Sequence, residues 1–245
     1  MIIVANWKMN KNANDVELFL RNLEANLSKY PKFTDKTKVL IAPPFPFLYY
    51  LKTSLHTDTI TLTAQNIHHE KQGAFTGEVS AEMLYSIGVK YVIIGHSERR
   101  IYFNETENIL SKKIERCLEN KMTPIFCFGE TYSDRNLGNH LSVIKKQLNI
   151  ISKKNEKKII LAYEPIWAIG SGKTPSINQI KEVHSYIKEL YDFPILYGGS
   201  LNKNNANSIL SLNEVDGGLI GGASLCSEDF FQIIQESSKI TSAKI

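Results

Sequence analysis

Short apolar segments recur along the chain at intervals of roughly 30 residues, the length of one strand–helix unit. Each ends in, or is directly followed by, a small or polar residue, and the eight segments are 2–5, 39–42, 60–64, 91–95, 124–128, 159–163, 194–198 and 218–221. Stretches with helical periodicity separate them, such as Val16-Phe19-Leu20-Leu23. Strands that are apolar throughout and alternate with amphipathic helices indicate a parallel sheet covered by helices.

Eight equal units favour closure of that sheet into a barrel. The 245 residues are close to the ~250 typical of a (β/α)8 barrel. A doubly wound open sheet usually has fewer strands, and it would carry a glycine fingerprint after the first strand, which Asn6-Trp7-Lys8-Met9-Asn10 lacks. The sequence therefore predicts an α/β fold, a single (β/α)8 TIM barrel over residues 1–245 with eight parallel strands surrounded by helices.

Composition excludes several classes of protein. Cys117, Cys127 and Cys226 form no C-x-x-C pair, so we expect three buried apolar cysteines in a reducing compartment. No basic region precedes the apolar N-terminus, and no run reaches the ~18–20 apolar residues of a membrane span, which predicts a cytoplasmic protein without membrane contact. The net charge of +4 is dispersed and gives no nucleic-acid footprint, and the histidines lack metal-ligand spacing.

In a barrel the active site lies at the carboxyl ends of the strands, so the residues after each apolar segment are the first candidates. Asn6 and Lys8 follow the first segment two positions apart and should face the same space. A lysine at a barrel mouth suits a phosphate or an oxyanion, although a lysine that only snorkels to the surface is the alternative.

Two further strand ends carry acid–base side chains. His96 follows the fourth segment, with Ser97 as the expected cap of a short helix and Glu98 in its first turn. The positive helix end favours a neutral imidazole that donates a hydrogen bond. Glu164 directly follows the sixth segment, and Pro165 holds it extended, which suits a general base; an ion-paired structural glutamate is the alternative.

Backbone amides for a phosphate are predicted in three places. Residues 165–175 are small and apolar at their centre and have proline at both ends, which is typical of a lid that excludes water. Its tip would be rich in backbone N–H groups, which could hold a phosphate. Glycine pairs follow the last two segments, in Gly198-Gly199-Ser200 and Gly221-Gly222, where barrels often bind phosphate.

Taken together and in chain order, these motifs resemble the triosephosphate isomerase family over the whole chain. The matching segments are Asn6-Trp7-Lys8-Met9-Asn10, Gly73-Ala74-Phe75-Thr76-Gly77-Glu78, Gly95-His96-Ser97-Glu98-Arg99-Arg100, Ala162-Tyr163-Glu164-Pro165-Ile166-Trp167-Ala168-Ile169-Gly170, Tyr197-Gly198-Gly199-Ser200 and Gly221-Gly222-Ala223-Ser224-Leu225.

The resemblance implies an isomerase that interconverts dihydroxyacetone phosphate and D-glyceraldehyde 3-phosphate through an enediolate, in glycolysis and gluconeogenesis. Glu164 would be the base, His96 would polarise the carbonyl, and Lys8 and Asn6, with Glu98 beside the lysine, would stabilise negative charge. The phosphate would be held by Gly170, Ser171, Ser200, Gly221 and Gly222. No cofactor is expected, because the oxidation change is internal to the substrate.

The resemblance also implies a homodimer. The loop 73–78 would reach into the partner subunit, with Thr76 near the partner's active site. From its composition alone this segment is an exposed glycine loop.

Two alternatives remain open at this point. A barrel aldolase would use a Schiff-base lysine inside the barrel, but no lysine other than Lys8 ends a strand in a comparable motif. A non-catalytic scaffold could also keep the fold, since a fold alone does not guarantee activity.

Overall fold

The computed structural model describes residues 1–33, 35–151, 159–169 and 173–243. Its strands are β1 (Ile2–Asn6), β2 (Lys38–Ala42), β3 (Ile60–Ala64), β4 (Tyr91–Ile94), β5 (Thr123–Phe128), β6 (Ile160–Tyr163), β7 (Ile195–Tyr197) and β8 (Gly217–Ile220). Each pairs in parallel with the next, and β8 pairs with β1, so the barrel closes in chain order. Every predicted segment coincides with a strand to within one residue at each end, and the (β/α)8 barrel is confirmed.

Helices surround the barrel. Within the described residues they are α1 (Ala13–Lys29), α2 (Phe45–Ser54), α3 (Ala81–Ser86), α4 (Ser97–Tyr102), α5 (Glu107–Glu119), α6 (Tyr132–Asn136), α7 (His140–Leu148), α8 (Ile177–Leu190), α9 (Ala206–Leu210) and α10 (Ser227–Ala243). Local side chains set their first turns. Asn12 and Ser176 each accept the amide three residues on, and Asp15 and Gln179 bond back to the cap residue, which begins α1 and α8.

The core has two layers, because successive strand side chains point alternately into the barrel and out to the helices. The inner layer contains Val4 of β1 and Ala162 of β6, among others. The outer layer lies between strands and helices. Two residues beyond Val4 and Ala162 come Asn6 and Glu164, which therefore occupy the next inward positions at the carboxyl mouth.

One cysteine differs from the expectation. Cys117 and Cys127 are buried and free, as predicted, but Cys226 is exposed. It lies immediately before α10, and its thiol is 3.3 Å from a carboxylate oxygen of Glu228 in the first turn. A thiol can be buried as a small apolar group or can make a weak hydrogen bond at the surface, so the residue type alone did not fix its burial. None of the described helices is long and apolar enough to cross a membrane.

Candidate active site

A cavity of about 270 Å³ opens at the carboxyl mouth of the barrel. The strand ends of β1, β4, β6, β7 and β8 contribute its walls. The predicted site residues that line it are Asn6, Lys8, His96, Glu164, Ser200, Gly221 and Gly222. Gly170 and Ser171, predicted at the lid tip, lie outside the described residues.

The end of β1 brings two of these residues together. The side-chain oxygen of Asn6 accepts a hydrogen bond from the Lys8 amide at 3.1 Å. Lys8 has a left-handed backbone with φ 53°, which is uncommon outside glycine, and this turn aims its side chain into the cavity. Gln65, just after β3, donates to the Lys8 carbonyl at 2.9 Å and holds the turn in place. Trp7 points the other way and is fully buried against Phe19.

Lys8 is oriented by an acidic partner. Its ammonium lies 2.7 Å from Oε1 of Glu98, in the first turn of α4. The Glu98 side chain is 38% exposed, so this pair fixes direction more than it adds stability. Glu98 lines a smaller adjoining cavity next to Lys8 instead of the main one. Its expected role on the lysine side of the site stays a prediction.

His96 caps helix α4, which corrects the expectation that Ser97 would. Nδ1 of His96 accepts the amide of Glu98 at 3.3 Å, and Ser97 is the first helical residue. A nitrogen that accepts a hydrogen bond carries no proton, so this bond assigns the proton of the neutral ring to Nε2. Because the cap lies one residue earlier than expected, the Ser97 amide is available to a neighbouring strand end.

That neighbour is Glu164, which is only 1% exposed. Its Oε2 accepts the Ser97 amide at 2.9 Å, and its Oε1 lies 3.2 Å from Nε2 of His96 without the alignment of a hydrogen bond. Burial, with the Glu164 carboxylate beside it, raises the pKa of the Cys127 thiol well above its usual value, so Cys127 is an uncharged neighbour. A β-carbon on Gly198 would lie 2.9 Å from Cγ of Glu164, so only glycine leaves space for this side chain.

The opposite wall carries the small residues after β7 and β8. Gly221 precedes the 3₁₀ turn Gly222–Ser224. The first backbone N–H groups of a helical turn have no acceptor within that turn. A β-carbon on Gly221 would lie 3.3 Å from Cε of Lys8, so the lysine crosses directly over this wall. Ser200 donates its hydroxyl to the carbonyl of Ala168 at 2.7 Å, which links the wall to the predicted lid.

Sequence reasoning missed a buried residue that binds the start of the predicted lid. Glu130 is fully buried, and its Oε1 accepts hydrogen bonds from Trp167 Nε1 at 2.9 Å, Arg135 Nε at 2.7 Å and the Tyr163 hydroxyl at 3.0 Å. Trp167 lies in a 3₁₀ turn, Ile166–Ala168, directly after Glu164 and Pro165. Glu130 follows β5 by two residues, so the strand-end rule that selected the other candidates could have selected it too.

A closed (β/α)8 barrel with a carboxylate, an imidazole and an ammonium around one cavity at its carboxyl mouth defines the class of TIM-barrel enzymes. The triosephosphate isomerase family model matches residues 1–237. Triosephosphate isomerase of Flavobacterium johnsoniae is 45% identical over 247 aligned positions, covering 95% of this chain and 97% of that protein. The enzymes of Alkaliphilus metalliredigens and Cytophaga hutchinsonii are 43% and 44% identical over 95% of this chain and 98% and 97% of theirs. The chain belongs to the triosephosphate isomerase family.

Proposed function

We propose that the chain, as one barrel domain over residues 1–245, interconverts dihydroxyacetone phosphate and D-glyceraldehyde 3-phosphate by proton transfer through an enediolate. One observation carries the proposal. The Glu164 carboxylate, the Nε2 side of His96 and the Lys8 ammonium line a single cavity, beside a wall of small residues suited to a phosphate.

The chemistry assigns a role to each group. A proton next to a carbonyl is weakly acidic, so its removal by Glu164 needs stabilisation of the oxyanion that forms. Nε2–H of His96 donates to that oxygen, and Lys8, with Asn6 at its backbone, supplies positive charge. Glu164 then returns the proton to the adjacent carbon, and the hydroxyl proton passes from one substrate oxygen to the other by way of His96 Nε2. The balance closes without a redox partner, because one carbon of the substrate is oxidised as the other is reduced.

The phosphate end is assigned to the small-residue wall and the lid. Lys8 crosses Gly221, so an anion there would meet both an ammonium and backbone amides. A closed lid would keep water from the enediolate, which otherwise expels its phosphate. The residues assigned to phosphate binding are Ser200, Gly221, Gly222 and, in the lid, Gly170 and Ser171.

We also propose a cytoplasmic homodimer formed through the loop 73–78, with Thr76 near the partner's active site. Two exposed apolar side chains support an interface. Phe75 in the loop is 43% exposed and Met9 beside the lysine turn is 95% exposed, so each leaves apolar surface that a partner subunit could cover. Sedimentation of the wild type and of Thr76→Arg tests this, since a charge at the loop tip should dissociate a dimer that depends on it.

The function is tested with the purified chain in a coupled assay that follows glyceraldehyde 3-phosphate formed from dihydroxyacetone phosphate, and the reverse. Turnover in both directions without added metal or cofactor is expected. Borohydride treatment in the presence of substrate should leave the protein mass unchanged. A covalent adduct at a lysine would instead indicate a barrel aldolase and would contradict the proposal.

A further inference from the structure

The ladder between β5 and β6 continues beyond the two strands. The Glu164 amide donates to the Phe128 carbonyl at 2.8 Å, and the Ile166 amide donates to the Glu130 carbonyl at 3.1 Å. The backbone of the proposed base and the start of the predicted lid are therefore both hydrogen-bonded to the segment 128–130. Whatever fixes this short segment also fixes the direction in which Glu164 enters the cavity.

Gly129 is the centre of that segment. A β-carbon here would overlap the carbonyl oxygen of Glu164, so the two backbones lie in direct contact. No side chain separates them, so a shift of Gly129 acts directly on the backbone of Glu164.

The side chain of Gln147, on the outer helical layer, forms hydrogen bonds with both the backbone N–H and the backbone carbonyl of Gly129. The oxygen of the Gln147 amide accepts the Gly129 N–H at 2.9 Å, and the nitrogen of the same amide donates to the Gly129 carbonyl at 2.9 Å. Gln147 lies on α7, whose neighbours Ile144 and Leu148 are buried against the barrel. The packing of this helix therefore holds Gln147 in place, and we call its two hydrogen bonds to Gly129 the clamp.

We propose that Gln147 is a positioning residue for the isomerase reaction, acting through Gly129 on the backbones of Glu164 and Glu130. The inference rests on the proposed function. Only a side-chain amide presents a donor and an acceptor side by side, as both groups of Gly129 require. Methionine at this position would match the length of glutamine and offer neither bond. Glutamate could accept the N–H but could not donate to the carbonyl.

Steady-state kinetics of Gln147→Met and Gln147→Glu test the proposal, with Lys146→Ala as the control on the exposed face of the same helix. Assays are run well below the melting temperature of each variant. Gln147→Met should lower kcat by about 10-fold with KM within about 2-fold, because small misplacements of a base cost rate more than binding. Lys146→Ala should match the wild type. A Gln147→Met enzyme with kcat within about 2-fold of the wild type would overturn the proposal, whatever its melting temperature.

A second readout does not depend on activity. The indole N–H of Trp167 bonds to Glu130, so its proton–nitrogen NMR signal reports the position of the segment. The signal is assigned by its loss in Trp167→Phe. It should shift in Gln147→Met and Gln147→Glu and stay in place in Lys146→Ala. An unmoved signal in both Gln147 variants would overturn the role of Gln147, whether or not the wild type is active. Absence of isomerase activity in the wild type would refute the proposed function, and it would leave the NMR test of Gln147 unaffected. If Gln147→Met does not fold, Gln147→Glu is judged by the same kinetic criterion.

Discussion

The backbone amide of Ser97 donates a hydrogen bond to the carboxylate of Glu164 at 2.9 Å, across 67 positions of sequence. The first residue of α4 thus binds the side chain proposed as the base, while His96, one residue earlier, presents Nε2 to the other carboxylate oxygen. One helix start therefore orients both the proposed base and the proposed hydrogen-bond donor to the substrate oxygen.

Changing Glu164 should separate catalysis from stability. Glu164→Gln keeps the shape but cannot take a proton, and Glu164→Asp keeps the acid but retracts it from the substrate. We expect kcat to fall by about 10²–10⁴-fold in both, with little change in melting temperature. The coupled assay and thermal unfolding measure the two quantities. An unaltered kcat in Glu164→Gln would refute the assigned base.

Changing Lys8 should weaken both binding and turnover. Lys8→Met removes the charge but keeps much of the volume, and kcat/KM should fall by about 10²–10³-fold, as for the loss of one oxyanion donor. Inhibition by inorganic phosphate should weaken in parallel, because the Lys8 ammonium lies over the small-residue wall to which phosphate binding is assigned.

Glu98→Gln is the matched comparison for Lys8. The Lys8–Glu98 pair is partly exposed, so we expect a loss of less than about 10-fold in kcat/KM. A larger effect in Glu98→Gln than in Lys8→Met would contradict this assignment of roles.

The ion cluster formed by Glu105, Arg99 and Lys113 should contribute strongly to the free energy of unfolding. Oε1 of Glu105 lies 2.6 Å from Arg99 Nε and 2.5 Å from Lys113 Nζ, and Lys113 also donates to Asn66 at 2.6 Å. Burial lowers the pKa of Lys113, and Glu105 opposes this effect. Glu105→Ala leaves a buried ammonium without its carboxylate, which should lower the free energy of unfolding by about 3–5 kcal/mol.

The control for this cluster is Glu107→Ala. Glu107 pairs with Arg100, but its side chain is 46% exposed, and the expected loss is below about 1 kcal/mol. Urea unfolding at neutral pH measures both variants. Equal losses in the two variants would mean that burial does not set the energy of the Glu105 cluster.

His184 should make the protein sensitive to acid. Burial lowers its pKa to about 4, and Nδ1 lies 3.1 Å from the Glu214 carbonyl. Unfolded, its pKa is near ~6.5, so between these values the unfolded chain binds a proton that the folded chain does not. Stability therefore falls as the pH drops through this window, by about 2 kcal/mol at pH ~5 relative to pH ~7.5.

His184→Gln removes the titration and can still donate to Glu214. The difference in unfolding free energy between wild type and variant, measured in urea at the two pH values, isolates this histidine from the other titrating groups. A difference that does not change with pH would rule out His184 as the source of the acid sensitivity.

The sequence predicts the strands well for a physical reason. Barrel strands are buried on both faces, so each appears as a continuous apolar run, and the residues just beyond each run lie at one mouth. That argument alone brings Asn6, His96 and Glu164 to the same cavity. The left-handed turn at Lys8 could not be predicted in this way, because it is held by Gln65, which lies 57 positions further along the chain. The His96 cap is local, since His96 binds the Glu98 amide two residues on, but serine is the commoner cap residue and the sequence therefore favoured Ser97.

The pairing of β8 with β1 leaves no strand of the barrel with an unpaired side. An open sheet offers rows of free amides and carbonyls to which another chain can add a strand, and native proteins must cover or charge those rows. Here no such template exists while the ring is intact. Addition of a strand from another chain would first require one of the eight strand pairs to separate, for example β1 from β8 where Ile2 lies beside Gly217.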